Sequence, residues 1–324
     1  MCLPFFTSIF KDFKNSAMYC FVVAMLSLCC LVVISGFNVY VDPYWLFRRS
    51  PVWESSPALD TKQRFYKPLQ MIIRHPDVIF IGSSRVYRGI RPNTHFFQGE
   101  LYNAGISSLN IEEIYSILKS VTGQKTKTVV IGLDYWMFSS SAVPLQSLEK
   151  YGSTFDNLAT ALLSLDAYKD SRDALKASKS NDYWMYDGSH HTSDKSENQV
   201  EDMYQSYIKS LDEKKISREK LKTLEKIVDL LKRRNVQVVL YLSPLHPRTF
   251  RAYDSQKFEN LILELKKIAK VLDVLLLDFS HDYLESGLPL NHGSNEDWLD
   301  YSDFPPKIGD EIHRKIQEHK RESK

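Results

Sequence analysis

A run of strand-forming residues that ends in small polar residues places the strongest constraint on the fold of this chain. Val78–Ile81 is entirely aliphatic or aromatic, and Gly82-Ser83-Ser84 follows it directly. Such a run predicts a strand buried on both faces, as in parallel α/β sheets, whose sites lie at the carboxyl ends of the strands. Because glycine permits a sharp exit from the strand, Ser84 is a candidate nucleophile. The alternative is an ordinary turn, where Gly-Ser pairs are common.

A long uncharged segment near the N-terminus predicts a single-pass membrane anchor. Residues 17–37 follow a short flank, residues 1–16, and carry no charged side chain. About 20 apolar residues can cross a bilayer as a helix, so the segment is expected to bind the lipid bilayer. A cleaved signal peptide is the alternative, but the run exceeds the usual apolar region and no Ala-x-Ala site follows it.

Aromatic and basic residues flank the predicted anchor. Tyr40, Tyr44 and Trp45 fall where an interfacial aromatic belt would lie, and Asp42-Pro43 would end the helix. Basic residues occur on both sides of the segment: Lys11, Lys14, Arg48 and Arg49. The positive-inside rule therefore barely separates the two orientations. The C-terminal body is predicted to lie outside the cytoplasm, in the periplasm.

Composition excludes several classes of function. With 324 residues, 43% hydrophobic content and a formal net charge of +2, the chain can bury one large core and has no basic excess for nucleic acid. The cysteines all precede the body of the chain: Cys2, Cys20, Cys29 and Cys30. A disulfide framework or a cysteine-ligated metal site is therefore excluded in the body. Neither a metal nor another cofactor is predicted.

Apolar runs alternate with amphipathic stretches after the anchor, which predicts a single α/β domain over residues 62–324 behind a linker at 38–61. The predicted strands are Val78–Ile81, Thr128–Leu133, Val236–Leu242 and Val274–Asp278. Amphipathic helices are predicted after Ser217 and Asp254, which can cap them, and from Pro306, which suits a first helical turn.

A polar segment interrupts this alternation. Residues 178–199 have no hydrophobic period and are predicted to form a long surface insertion, which is a candidate lid. His190-His191 within it lack a third ligand at useful spacing, which favours solvated histidines over a metal site. Tyr183, Trp184 and Tyr186 either stack on a sugar ring or pin the insertion to the domain.

Short blocks of small and polar residues occur in order along the body: Gly82-Ser83-Ser84, Asn103-Ala104-Gly105, Gly132-Leu133-Asp134 and Asp300-x-x-Asp303. In order and rough spacing they resemble the blocks of SGNH/GDSL hydrolases. Asp42-Pro43-Tyr44 and Ser243-Pro244-Leu245-His246-Pro247 further resemble the membrane-anchored branch related to the teichoic-acid D-alanylation and alginate O-acetylation proteins. The resemblance covers nearly the whole extramembrane chain and implies a three-layer α/β/α, flavodoxin-like fold with a parallel sheet.

The resemblance also implies an activity, that of a serine esterase or O-acyltransferase on an envelope glycan, beside a membrane acyl-transfer partner. Ser84 would be the nucleophile, and the N–H groups of Ser84 and Gly105 would stabilise the oxyanion. Asp134 stands near the position of a side-chain donor in the family, yet an ionised carboxylate would repel an oxyanion. A carboxylate that accepts backbone N–H groups is therefore the preferred interpretation. Arg85 is a further candidate for contact with the substrate.

The last block departs from the family pattern Asp-x-x-His, because Asp303 stands where the histidine would be and Asp300 precedes it. An ordinary aspartate, with a pKa of about 3.9, accepts a serine proton poorly, and loss of the histidine lowers turnover about a millionfold. His246 and His281 follow predicted strands at the same sheet edge and are alternative bases. Contact with a substrate or an ordinary loop position is favoured for His246, and a solvated position for His281. An Asp300/Asp303 pair, with one pKa raised by burial and like charge, is another alternative base.

Three functions remain open on this reasoning. The leading one is an esterase or O-acyltransferase that uses Ser84 with a non-standard base. The second is a non-catalytic carbohydrate-binding protein, with Tyr135, Trp136 and Phe138 as stacking surfaces unless they pack in the core. The third is an anchored scaffold that holds partner proteins of an export or polymer-modification machine.

Overall fold

The structure is a computed structural model of the chain. It describes residues 16–48, 56–92, 95–121, 125–139, 154–178, 181–192, 201–202, 204–205, 216–246, 248–249, 255–280, 298–300 and 302–322. The predicted cap Asp254, the predicted base His281 and the end of the polar insertion, residues 193–199, lie outside the described residues.

Parallel strands form the central sheet. The strands are β1 (Val78–Ile81), β2 (Leu101–Asn103), β3 (Thr128–Leu133), β4 (Tyr183–Trp184), β5 (His190–His191), β6 (Gln237–Leu242) and β7 (Leu275–Asp278). Five of them pair in the order β2-β1-β3-β6-β7, all parallel, whereas β4 and β5 form a separate antiparallel hairpin. The carboxyl ends of β1 and β3 therefore lie side by side at one edge of the sheet.

The strands predicted from apolar runs are all present. β1 and β3 have the predicted bounds, and β6 and β7 each begin one residue later than predicted. β2 escapes prediction because three residues give no clear apolar run. It is a strand through its pairing with β1, with Leu101 opposite Val78.

The helices lie between the strands, as predicted for an α/β protein. They are α1 (Ser16–Val41), α2 (Pro57–Thr61), α3 (Gln63–Arg74), α4 (Ser84–Gly89), α5 (Ile111–Val121), α6 (Thr154–Leu163), α7 (Leu165–Lys176), α8 (Arg218–Arg233), α9 (Ser255–Val271) and α10 (Pro306–Glu322). Pro306 begins α10 as predicted. Ser217 precedes α8 as predicted, but its side chain makes no capping hydrogen bond.

Helices cover both faces of the sheet, because alternate residues of each strand enter different apolar clusters. Ile79 and Ile81 of β1 pack with buried residues of α5, α8 and α9. Val78 and Phe80 pack with buried residues of α4 and α10. The described residues therefore form an α/β structure of three layers around a parallel sheet.

α1 is a candidate membrane span. Met18–Val41 has 24 residues with a mean hydropathy of 2.6, long and apolar enough to cross a bilayer, and that apolar window is not buried by the rest of the protein. The helix extends the predicted segment 17–37 to Val41. It ends where Asp42 adopts a φ of 51° and its carboxylate accepts the N–H groups of the next turn, including that of Leu46 at 2.7 Å.

The described residues on either side of the predicted linker's centre, 42–46 and 56–61, belong to the folded body, which corrects those parts of the predicted linker at 38–61. Tyr44 and Trp45 are buried in an apolar cluster with residues of α2 and α3. The Tyr44 hydroxyl donates a hydrogen bond to Asp170 of α7. The prediction that these two residues join an interfacial belt is therefore wrong, whereas Tyr40 is exposed. Aromatic residues suit both a membrane interface and a protein core, and here the packing of α2, α3 and α7 places Tyr44 and Trp45 in the core.

The first part of the predicted polar insertion is an ordered hairpin, which corrects its interpretation as a surface loop. Trp184 of β4 pairs with His190 of β5, and both side chains are buried. Trp184 Nε1 donates to Asp60 at 2.6 Å, and the Arg74 guanidinium lies 3.6 Å from the centroid of the Tyr186 ring. These contacts confirm for Trp184 and Tyr186 the interpretation that they pin this segment to the domain, whereas Tyr183 is exposed and contacts His191 of the same hairpin.

α10 buries a histidine among aromatic rings. The His313 ring centroid lies 5.0 Å from that of Phe80 and 5.5 Å from those of Phe96 and Phe97. Neither ring nitrogen has a hydrogen-bond partner among the described residues. Burial lowers the pKa of His313 to about 4, because an imidazolium here would lose its hydration without gaining an acceptor.

His313→Phe is expected to reduce the loss of stability at acid pH. An unfolded histidine has a pKa of about 6.5, so between pH 6.5 and 4 the unfolded chain binds a proton that the folded protein excludes. Stability therefore falls as the pH falls through this window, by about 3 kcal/mol from this residue. Denaturant unfolding of the full chain in detergent, at neutral pH and at about pH 4.5, measures the difference.

The matched control is His319→Phe, which changes an exposed histidine of the same helix. It should leave the acid dependence of the unfolding free energy close to that of the unaltered protein. An acid dependence in His313→Phe as steep as in the control would contradict the prediction.

Candidate functional site

The carboxyl end of β1 leads directly into the candidate nucleophile. Ser83 caps α4 and accepts the N–H of Arg85 through its Oγ at 3.3 Å, and Ser84 is the first helical residue. A Cβ at Gly82 would lie 2.8 Å from the carbonyl oxygen of Gly132 on β3, so a residue without a side chain is needed there. The close approach of β1 and β3 thus places the half-buried Ser84 at the sheet edge.

The side chain of Ser84 meets the last of the predicted blocks. Ser84 Oγ donates a hydrogen bond to Asp303 Oδ1 at 3.0 Å, across 219 positions of the chain. Asp303 and Asp300 lie on the loop before α10, and both are buried. The structure therefore brings the predicted catalytic residues Ser84, Asp300 and Asp303 to one place.

Arg88 binds both carboxylates of this loop. Its Nη1 donates to Asp303 Oδ2 and lies 3.4 Å from Asp300 Oδ2. Residues four apart lie on the same face of a helix, so α4 presents the Ser84 hydroxyl and the Arg88 guanidinium to the same loop. Asp300 Oδ1 in turn accepts the N–H groups of Ser302 and Asp303, each at 2.8 Å, which fixes the shape of the loop.

Opposing effects set the protonation of Asp303. Burial raises the pKa of its carboxyl, and the neighbouring charge of Asp300 raises it further. Arg88, Arg85 and the hydrogen bond from Ser84 lower it, and the net direction is upward. A carboxylate with a raised pKa is a stronger base than an exposed aspartate, so Asp303 is better suited to accept a proton than its residue type suggests.

A second buried ion pair, between Arg85 and Asp134, lies next to Ser83. Arg85 Nη1 is 2.6 Å from Asp134 Oδ1, and both side chains are 1% exposed. The Ser83 hydroxyl donates to the other oxygen of Asp134, and Arg85 Nε donates to the carbonyl oxygen of Ser302 at 2.6 Å. Asp134 is thus held by side chains, which corrects the expectation that it accepts backbone N–H groups. Arg85 is buried in this ion pair, which corrects its predicted contact with a substrate.

The second block does not present the N–H group that was expected to bind an oxyanion. The N–H of Gly105 donates to Asn103 Oδ1 at 2.9 Å, so it is occupied in this structure. Asn103 Nδ2 donates to the carbonyl oxygens of Val86 and Ile90 at 2.8 and 2.6 Å. This block therefore holds the end of α4. The N–H of Ser84 remains a candidate donor, because the first residues of a helix have no intrahelical acceptor.

A buried lysine joins this block to the β4–β5 hairpin. Lys67 Nζ donates to the carbonyl oxygens of Asn103, Gly105 and Gly188, and it lies 4.6 Å from the centroid of the Trp184 ring. Burial lowers the pKa of the Lys67 ammonium. Three acceptors from two segments therefore converge on a single cation next to the site.

His246, one of the predicted replacement bases, has a partner other than the serine. His246 Nδ1 accepts the N–H of Arg248 at 3.1 Å, so the proton of its neutral ring resides on Nε2. Burial and the charge of Arg248 lower the pKa of His246 to about 4. Ser84 is bonded to Asp303 instead, so His246 is not its base in this structure. His281 lies outside the described residues.

The predicted stacking residues belong mostly to the core. Tyr135 and Phe138 lie in a short 3-10 helix, Tyr135–Phe138, and both are buried, which confirms the alternative that they pack in the core. Trp136 is half-buried against the same core cluster. Among these three residues, Trp136 is the one that stays partly exposed.

The adjacent histidines of β5 bind separate partners. His190 Nδ1 lies 3.0 Å from Thr192 Oγ1, and His191 Nδ1 lies 3.4 Å from Arg91 Nη2. Within the part of the chain that the structure describes, no three His, Cys, Asp or Glu residues are grouped to hold a metal ion. The hairpin therefore offers no metal centre among these residues.

Two basic residues of the site, Arg88 and Lys67, are not predicted from the sequence. The sequence does carry a signal for Arg88, because it lies four positions after Ser84 on a helix that begins at the nucleophile. It carries none for Lys67, since the acceptors of this lysine are backbone carbonyls of remote segments, which leave no pattern in the sequence.

Neither a family model nor a curated protein matches this chain. The fold and the site therefore define the class of protein. It is an α/β protein with a five-stranded parallel sheet and an N-terminal helix long and apolar enough to span a membrane. At the carboxyl edge of the sheet, a serine is hydrogen-bonded to a buried aspartate.

Arg85→Met is expected to destabilise the protein by about 3–5 kcal/mol, because it leaves the charge of Asp134 buried without its partner. The double variant Arg85→Met/Asp134→Leu should recover most of that loss, since an apolar pair needs no compensating charge. Denaturant unfolding of both variants measures the difference, with Arg91→Met at an exposed position as the control. Equal losses in the single and double variants would show that the ion pair is not the cause.

Proposed function

We propose that this protein is a membrane-anchored, SGNH-like serine esterase or O-acyltransferase that acts on an envelope polysaccharide. The observation that carries the proposal is the hydrogen bond of 3.0 Å from Ser84 Oγ to Asp303 Oδ1. The parallel sheet and the meeting of the first and last sequence blocks at its carboxyl edge support the SGNH-like assignment.

The proposed reaction passes through an acyl-serine. Ser84 Oγ attacks the carbonyl carbon of an acyl ester while its proton passes to Asp303. The bond from that carbon to the alcohol oxygen breaks, and the departing oxygen takes the proton from Asp303. Water or a sugar hydroxyl then attacks the acyl-serine and gives its proton to Asp303. The acid or new ester leaves, and the proton returns to Ser84 Oγ.

The surroundings of Asp303 support its role as proton acceptor. Burial and Asp300 raise its pKa, while Arg88 stabilises the ionised form and occupies only Oδ2. Oδ1 is left for the serine hydroxyl. In this proposal the N–H of Ser84 donates to the oxyanion, and Asp300 orients the loop through its bonds to backbone N–H groups.

The apolar helix α1 supports an anchored location. We place the domain outside the cytoplasm, where an envelope glycan supplies or receives the acyl group and a membrane acyl-transfer protein is the proposed partner. Side chains and backbone groups of the protein carry the reaction as proposed.

A non-catalytic function is the second candidate, and one observation favours it. The carboxylate bonded to Ser84 is also bonded to Arg88, whose charge weakens it as a base. A site of this kind would bind an envelope carbohydrate without turnover, or serve as the anchored scaffold of a polymer-modification machine. Labelling of the serine separates the two candidates.

A fluorophosphonate probe on the full chain in detergent tests the nucleophile. Ser84→Ala is expected to abolish labelling, and Asp303→Asn to slow it by about 100-fold or more, because a general base contributes at least that factor. Ser120→Ala, at an exposed serine of α5, is the control and should label like the unaltered protein. Absence of labelling in the unaltered protein would reject the catalytic proposal and leave the second candidate.

The pH dependence of labelling tests the base. The rate should rise with pH as Asp303 ionises, because the carboxylate accepts the serine proton. Arg88→Gln removes a charge that lowers the pKa of Asp303, so the rising limb should move to higher pH. Arg91→Gln should leave the limb in place. If the rising limb of the pH–rate curve did not move in Arg88→Gln, Asp303 would be excluded as the titrating group.

A further inference from the structure

The α6–α7 hairpin packs against the end of the candidate membrane span. Asn38 Nδ2 of α1 donates to the carbonyl oxygen of Leu162 at 2.8 Å, and Ser171 Oγ of α7 donates to Asn38 Oδ1 at 2.9 Å. The rings of Phe37 and Tyr168 lie 5.3 Å apart. Both helices of the hairpin are therefore fixed to α1 near its C-terminal end.

These contacts give the depth of the hairpin turn. About 20 residues cross the hydrocarbon of a bilayer, so a span that begins at Met18 leaves it near Phe37. Asn38 then lies at the boundary between hydrocarbon and headgroups, and the bonded Leu162 lies at the same level. Tyr168 contacts Phe37, whereas Asp170 contacts Tyr44 beyond the helix end. The start of α7 thus faces the membrane side.

The turn exposes apolar side chains at this level. Leu163 is 41% exposed, Leu165 73% and Tyr168 41%. An isolated exposed leucine is ordinary on a soluble surface, but three large apolar groups at one turn, next to a membrane span, form a patch that water does not favour. Leu165 is the most exposed of them although it begins a helix that is packed on α1.

Basic side chains follow the apolar ones along α7. The exposed residues of this helix include the basic residues Lys169, Arg172 and Lys176. The acidic residue Asp166 is also exposed, and Asp173 Oδ1 lies 3.7 Å from Arg172 Nη2. Apolar groups at the tip and basic groups behind them match the order of layers in a bilayer, with acyl chains first and phosphates outside them. An apolar protein partner would not require this sequence of charges.

We propose that the α6–α7 turn enters the headgroup layer of the membrane that α1 spans, with Leu163, Leu165 and Tyr168 against the upper acyl chains and Lys169 and Arg172 at the phosphates. The occupant of this surface is lipid, with a preference for anionic headgroups. The hairpin is then a second attachment beside α1, and it fixes the tilt of the domain. This inference depends on α1 as a span and not on the reaction proposed for Ser84.

A fluorescent label at position 165 tests the proposal in the full chain. The native cysteines are replaced by alanine, and Leu165→Cys carries an environment-sensitive NBD group in phosphatidylcholine vesicles, with or without phosphatidylglycerol. The emission should shift to shorter wavelength and be quenched by lipids with a nitroxide high on the acyl chain. Lys226→Cys, at an exposed position of α8, is the control and should show neither effect.

Charge reversal tests the headgroup preference. Lys169→Glu/Arg172→Glu should lose part of the lipid quenching at position 165 in vesicles that contain phosphatidylglycerol. An unshifted, unquenched label at position 165 would overturn the proposal. A shifted label that lipid nitroxides do not quench, and whose shift depends on protein concentration, would indicate a second protein molecule on this surface and would also overturn it.

Discussion

The site depends on the neutralisation of buried carboxylates by two arginines of one short helix. Arg85 of α4 pairs with Asp134, and Arg88 pairs with Asp303 and Asp300. A carboxylate buried without a partner would be destabilising by several kcal/mol or would take up a proton. Because both arginines reach the loop before α10, the folding of that loop and the position of the serine are coupled.

The same neutralisation limits the chemistry that the serine can perform. Burial raises the pKa of Asp303, but the guanidinium of Arg88 lowers it, so the group that stabilises the loop also weakens the base. A neutral imidazole at this position would need no such cation, whereas a buried carboxylate does. The aspartate at position 303 therefore sets the electrostatics of the whole loop, and Arg88 is the residue that makes a buried carboxylate tolerable there.

Much of the fold follows from local sequence, and less of the site does. Continuous aliphatic runs predict β1, β3, β6 and β7, because such runs are typical of the strands of parallel sheets. β2 and the β4–β5 hairpin depend on their pairing partners, which local sequence does not show. The meeting of Ser84 and Asp303 is expected from the order of the sequence blocks and not from the strands, because Asp303 lies on the loop before α10 and not at a strand end. The use of the Gly105 N–H by Asn103 is expected from neither, since it depends on one side-chain orientation.

The convergence of three carbonyl oxygens on Lys67 has a consequence for local motion. Two of these acceptors belong to the Asn103–Gly105 segment and the third to Gly188 in the hairpin. If the hairpin lifted, the ammonium would lose an acceptor and the ring of Trp184 while still enclosed. We therefore expect the hairpin and the segment behind the serine to exchange their amide hydrogens as one cooperative unit, more slowly than an unattached surface loop does.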